Sequence, residues 1–223
     1  MSTKQLVFER QLAHLAWLLL LLAGLFGATR IEGFGQGVFL GVSTGSWVVL
    51  NVANAVVHQG FVWFCWRTEL HANLLTRHLG DAAFRAYMLV FTILILARVV
   101  LITALAISNA GSLPSNPWIM RTTAVVLLLP GVYLIYSIRR YFGFKRAYGI
   151  DHFDPAYRSA NLVRQGIFRF SSNAMYEFGF LLLWVPGLYL QSVAAVVVAL
   201  FCHLYIWVHY ACTEKPDMAR IYG

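Results

Sequence analysis

The sequence predicts an all-α, polytopic integral membrane bundle of five or six transmembrane helices. Three observations carry that expectation. Hydrophobic residues make up 60% of the 223 positions and charged residues only 12%, against about a quarter charged in soluble domains. Apolar runs recur at 12–28, 46–66, 84–108 and 118–138, each close to the roughly 20 residues that cross a bilayer as a helix. A last apolar run, 174–209, is interrupted by Pro186-Gly187 and holds no Lys or Arg, which predicts a helical hairpin that turns at the Pro-Gly pair.

Each segment has its own justification. The run at 12–28 follows Lys4 and Arg10 as a signal peptide would, but further spanning segments succeed it, so it is expected to stay as a first transmembrane helix. After a glycine-rich turn at 33–45, the second helix carries Trp47 and Trp66, 19 residues or about 28 Å apart, a spacing that predicts aromatic anchors at the two interfaces. Asn51, Asn54 and His58 follow an i, i+3, i+7 spacing and share one face of that helix. Facing lipid they would be costly, so the face should turn inward, either to bond neighbouring helices or to wall a substrate pocket. In the third helix Arg98 lies near the middle of an apolar segment without an acidic partner, and is the fourth candidate substrate-binding residue. A short loop at 109–117 leads to the fourth helix.

The charges give orientation and exclude some functions. A net charge of +8 in a chain this apolar reports topology, and no nucleic-acid partner is expected. Basic residues crowd 139–169, and Lys4, Arg10, Arg67, Arg77 and Arg85 flank the same side; the opposite loops hold only Arg30. That side is therefore expected to be cytosolic, in a bacterial inner membrane or an endoplasmic reticulum membrane alike. Cys65, Cys202 and Cys212 are odd in number and lack metal-ligand spacing, so neither a structural disulfide nor a metal site is expected.

Two polar stretches interrupt the carboxyl-terminal part: Asn161 to Tyr176, and His209 to Met218. A hairpin between them would return both to the basic face, dividing the chain into membrane helices at 1–138 and a catalytic region at 139–223. His203 and His209, i and i+6, stand about 120° apart on a helix and make poor co-ligands for one metal.

The first stretch, LVRQGIFRFSSNAMY, resembles the signature of the membrane-embedded methyltransferases that include the isoprenylcysteine carboxyl methyltransferases and phospholipid N-methyltransferases. Leu162, Val163, Gly166, Ile167, Phe168, Asn173, Met175 and Tyr176 match in order and without a gap. The segment YFGFKRAYGIDHF is similar to the Tyr-Phe-Gly segment of the phospholipid enzymes, and Glu214-Lys215-Pro216 to the family's Glu-Glu-Pro. Ser172-Asn173-Ala174 stands where the carboxyl methyltransferases have His-Pro, Lys215 replaces the second Glu, and a lone Gly131 remains of a Gly-x-Gly. Asn173 matches the phospholipid branch.

The resemblance implies S-adenosylmethionine as cofactor, contacted by Val163, Gln165, Gly166, Ile167, Phe168, Asn173, Tyr176, His209 and Glu214. The chemistry agrees, because methyl transfer from a sulfonium needs positioning and exclusion of water more than a triad or metal. Glu214 can accept from a ribose hydroxyl or ammonium, Arg164 or Arg169 can pair a carboxylate or lipid phosphate, and Phe168 and Tyr176 can present ring faces to a cation. Arg169, Asn173, Tyr176 and Glu214 are the candidate catalytic residues, with Glu177 a weaker candidate for a base. The expected reaction is methylation of a lipophilic acceptor, a lipid amine, a lipid-linked carboxylate or a small apolar thiol, entering laterally from the membrane lipids. Two other readings stand beside it. Membrane sterol reductases that share this carboxyl-terminal likeness would make the chain a nicotinamide-dependent enzyme; a small transporter or scaffold would bind no cofactor.

Overall fold

A computed structural model of the chain describes residues 1–159 and 161–223. It is nearly all-α. A short amino-terminal helix, α1 (Thr3–Val7), precedes α2 (Gln11–Ala28). A two-residue hairpin, β1 (Val38–Phe39) with β2 (Val42–Ser43), leads into α3 (Thr44–Ala72), α4 (Leu74–Leu79) and α5 (Ala83–Ser108). Then come α6 (Pro117–Ser137), α7 (Phe144–Ala147), α8 (Ala174–Glu177), α9 (Trp184–Tyr189), α10 (Val193–His209) and α11 (Lys215–Tyr222).

Local chemistry sets the helix starts. Ser43, Asn116 and Ser192 each stand at an N-cap with the side-chain oxygen accepting from the first turn, and Pro117 follows at the first helical position. Five helical stretches are long and apolar enough to cross a membrane: Thr3–Ala28, Thr44–Ala72, Leu74–Ser108, Pro117–Phe142 and Val193–Tyr222. Their outer faces expose Leu19, Leu20, Leu89, Ile93, Leu96, Val126 and Leu129, whereas the interior holds alanines and polar side chains. That inverted surface suits a lipid solvent, as in a multi-pass membrane protein.

Three expectations need correction. The hairpin does not turn at Pro186-Gly187. Pro186 sits in the first turn of α9, where its missing N–H costs nothing, and the chain reverses at Leu190–Ser192 with Gln191 at φ +54°. Gly187 instead admits the α10 backbone: a Cβ there would lie 2.9 Å from the Val196 nitrogen. Second, α3 continues past residue 66 to Ala72, because Arg67, Thr68 and Glu69 are buried and satisfied by partners rather than by water. Third, Trp66 is no interfacial anchor; it is 6% exposed and lies inside the bundle.

Asn109 fixes the end of the bundle opposite the basic residues. Its Nδ2 donates to the carbonyls of Gly33 and Gln36, both at 2.8 Å. Its Oδ1 accepts from Ser112 Oγ, Ser192 Oγ and the Ala194 N–H at 2.7–3.0 Å. One side chain thus ties the turn before β1, the α5 end and the α10 start. Around it α2, α3, α5 and α10 pack on small residues, Ala55, Ala106, Ala194, Ala195 and Ala199.

Candidate functional site

The loop at 161–173 is held against the end of α6. Gly166 has φ +60°, and a Cβ there would lie 2.6 Å from Ser137 Oγ and 2.8 Å from the Tyr141 ring, so this turn requires glycine. The neighbouring Ile167 N–H donates to Ser137 Oγ at 3.1 Å. Phe168 stacks on Phe142 with ring centroids 4.7 Å apart, and Val163, Ile167 and Phe168 join an apolar cluster with Leu134 and Ala174. The side chains of those three residues therefore anchor the loop. What it leaves outward is polar: Arg164, Gln165 and Arg169 line an open cleft of about 600 Å³ with Arg140, Tyr141 and Gly166. No acidic residue lines it, so the cleft is electropositive. A second cleft, of about 490 Å³, shares Arg164 and adds Arg158, Asn161 and Tyr222.

Asn173 stands at the N-cap position of α8 without a side-chain capping bond, and Tyr176 one turn later lies 5.7 Å from Tyr210 and 6.0 Å from Trp207, ring to ring. Tyr210 opens the π-turn Tyr210–Glu214. The two polar stretches, separated by the whole hairpin in sequence, thus meet through Tyr176. Glu177 is half-buried on α8. Glu214 turns inward, and its Oε2 has no hydrogen-bond partner among the described residues. Both ring nitrogens of the buried His209 are likewise without partners there, as are the nearby Trp66 Nε1 and Tyr87 hydroxyl. Buried polar atoms left unpaired are rare, and they mark places where a ligand or ordered water completes the structure.

Behind Glu214 stands an ionic core. Arg67, fully buried, donates from Nε to Asp217 at 2.7 Å, from Nη1 to the Leu6 carbonyl at 2.5 Å, and from Nη2 to the Cys212 and Thr213 carbonyls at 3.2 and 3.1 Å. Glu9 lies 3.7 Å from Arg67 and pairs with Arg220, so the turn after α1 is tied to α11. His152 stacks on Trp66 at 4.2 Å and sits between Asp151 at 3.2 Å and Asp217 at 3.6 Å. Burial alone would drive His152 toward its neutral form; the bond to Asp151 and the nearby Asp217 carboxylate outweigh it and raise its pKa above 6.5. Burial would likewise raise Asp151, but the His152 bond and charge, with the Tyr222 hydroxyl at 2.7 Å, hold it below 3.8.

Other residues singled out in the sequence lie elsewhere. Asn51 Nδ2 donates to the Trp47 and Leu101 carbonyls at 2.8 and 2.9 Å, and Asn54 Nδ2 to the Leu94 carbonyl at 3.2 Å. Both bonds to α5 are interhelical links, and the two residues sit about 18 to 23 Å along α3 from Trp66. His58 and Arg98 come together, Nδ1 to Nη2, at 3.3 Å. His203 accepts from Trp184 Nε1 at 3.2 Å, away from His209. Lys215 is exposed, and the second buried acid of this region is Asp217, two residues on.

Sequence reasoning missed Trp66, Arg67, Tyr87, Asp151, His152 and Asp217. A signal existed for three of them. Arg67 and Glu69 close an apolar helix as an opposite-charge pair, and Asp151-His152 follows a glycine beside the Tyr-Phe-Gly segment. The others carry no mark in sequence, because Trp66 and Tyr87 read as ordinary membrane aromatics.

No curated protein and no solved structure matches the chain. A family model does: residues 119–223, from the first turn of α6 through the Gly166 loop, the hairpin and Glu214, match the model of the phospholipid methyltransferase family, a family of membrane methyltransferases.

Proposed function

We propose that the protein is an integral membrane methyltransferase that uses S-adenosylmethionine on a lipophilic acceptor, at the basic, cytosolic end of its bundle. The observation that carries the proposal is the meeting of the Gly166–Tyr176 loop with the Glu214 turn across the hairpin. The residues fit the cofactor: Glu214 Oε2 is a buried acceptor without a donor among the described residues, and Arg164 and Arg169, which line the cleft beside Gly166, offer forked donors for a carboxylate. When bound, the cofactor supplies an electrophilic methyl group on a sulfonium.

The chain's own work is positional. Asn173 and Tyr176 flank the transfer position, Gln165 and the backbone of Val163, Ile167 and Phe168 hold the cofactor, and His209 and Glu214 close it from α10 and its π-turn. Burial of His209 and of the Glu214 Oε2 atom excludes water on that side and strengthens the polar contacts there. Glu214, with His152 behind it, is a better recipient for the proton lost by the acceptor than the half-buried Glu177. The helices of 1–138 guide the acceptor, and of their four candidate residues Arg98 keeps side-chain nitrogens without partners among the described residues. The phospholipid family match favours a lipid amine over a carboxylate or a thiol.

Calorimetric titration of S-adenosylhomocysteine into detergent-purified protein tests the proposal, followed by transfer of labelled methyl to amine, prenylcysteine and thiol acceptors. Binding that Glu214→Ala loses, with turnover on one acceptor class, is expected. Folded wild-type protein that binds nothing at millimolar ligand refutes it.

A further inference from the structure

Arg98 is 4% exposed and sits 15 residues, or about 22 Å, along α5 from its basic-end start, at membrane depth. Its Nη2 meets His58 Nδ1 at 3.3 Å and its guanidinium lies 5.5 Å from the centre of the Phe180 ring. Nε and Nη1 have no hydrogen-bond partner among the described residues, and no carboxylate there forms an ion pair with Arg98. The titratable groups near it on α10, Cys202 and Tyr205, are a thiol and a phenol, both neutral at pH 7. A guanidinium cannot shed its proton in a protein, so a buried one left unpaired calls for an anion.

A second feature converges on the same point. The hairpin's first arm is not a continuous α-helix: α8 ends at Glu177, Phe180–Leu183 is a 3-10 turn, and α9 starts at Trp184. Irregular backbone at membrane depth is tolerated where protein or a polar cavity covers it, and broken helices facing an intramembrane charge are a usual construction for ion and substrate sites. Phe180, the residue over Arg98, belongs to that irregular turn.

We propose that Arg98 and His58, closed by the Phe180–Leu183 turn, form an intramembrane site for a single negative charge, separate from the methyl-transfer site. The ligand is a monoanion that accepts from Arg98 Nε and Nη1. It comes either from the bilayer, as the head of a long-chain carboxylate, or from water, as a halide. His58 fixes the guanidinium and the Phe180 face covers it, so the site selects charge and small size rather than a large headgroup. This inference does not depend on the methyltransferase reading.

The test is thermal unfolding of delipidated full-length protein with oleate against methyl oleate, and with bromide against gluconate at constant ionic strength. One anion is expected to raise the midpoint saturably over its control, and which one does so identifies the source. Arg98→Gln should lose that shift. If Arg98→Gln does not fold, Arg98→Lys, which keeps the charge but not the fork, must weaken it. Absence of any shift beyond the controls in wild-type protein, or an undiminished shift in the variants, overturns the site.

Discussion

Asp217→Ala should be among the most damaging single substitutions in this chain. Arg67 and Asp217 are both fully buried and bonded at 2.6–2.7 Å, so deleting the carboxylate leaves a guanidinium whose nearest remaining acid is Glu9 at 3.7 Å. Stranding one member of a buried pair costs about 3–5 kcal/mol. Arg67→Met should cost a similar amount: it leaves Asp217 with only His152 and Arg220, each 3.6 Å away, and removes the donors to the Leu6, Cys212 and Thr213 carbonyls. The double variant Arg67→Met/Asp217→Leu removes both charges, leaving chiefly the three carbonyls at about 1 kcal/mol each. It should therefore lie about 2–3 kcal/mol below wild type, well short of the sum of the singles. Unfolding in mixed micelles by added dodecyl sulfate measures all four proteins. Singles within about 1 kcal/mol of wild type, or strictly additive effects, would refute the view that this pair organises the basic end.

Two further predictions follow from the same packing. Asn109→Ala removes one acceptor and one donor that serve five bonds at the far end, and should cost about 3 kcal/mol in the same assay, with faster amide exchange around Gly111 and Leu113 and little change at Tyr176. His152 binds its proton more tightly folded than unfolded, so its contribution is complete below pH 6.5 and is lost as pH rises through its higher folded pKa. Asp151 has the opposite sign: its contribution is lost only as pH falls below 3.8. Stability measured across neutral to alkaline pH should therefore decline in wild-type protein and flatten in His152→Gln; parallel profiles would contradict the assignment.

Much of the architecture was legible in the sequence because a bilayer imposes simple demands. Length and apolarity locate α6 to within a residue, and α2 and α5 start one residue before their apolar runs. The Gly166 motif was legible because a left-handed turn packed against Ser137 tolerates no other residue. The end of α3 was not, since Arg67 and Glu69 look like a solvated terminus until their partners are known. Nor was the hairpin reversal, because a proline reads as a breaker whether it sits in a first turn or between helices.

The sequence by itself determined the solvent, the helices and the residues of the methyltransferase-like loop, all of which depend on local composition and spacing. Only the tertiary structure decided that Arg67 is satisfied and Arg98 is not. Both are arginines near apolar runs, and what separates them is a carboxylate 150 residues away in one case and none among the described residues in the other. The energy of a buried charge is set by what stands next to it in space, and sequence records that only when the partner is close along the chain.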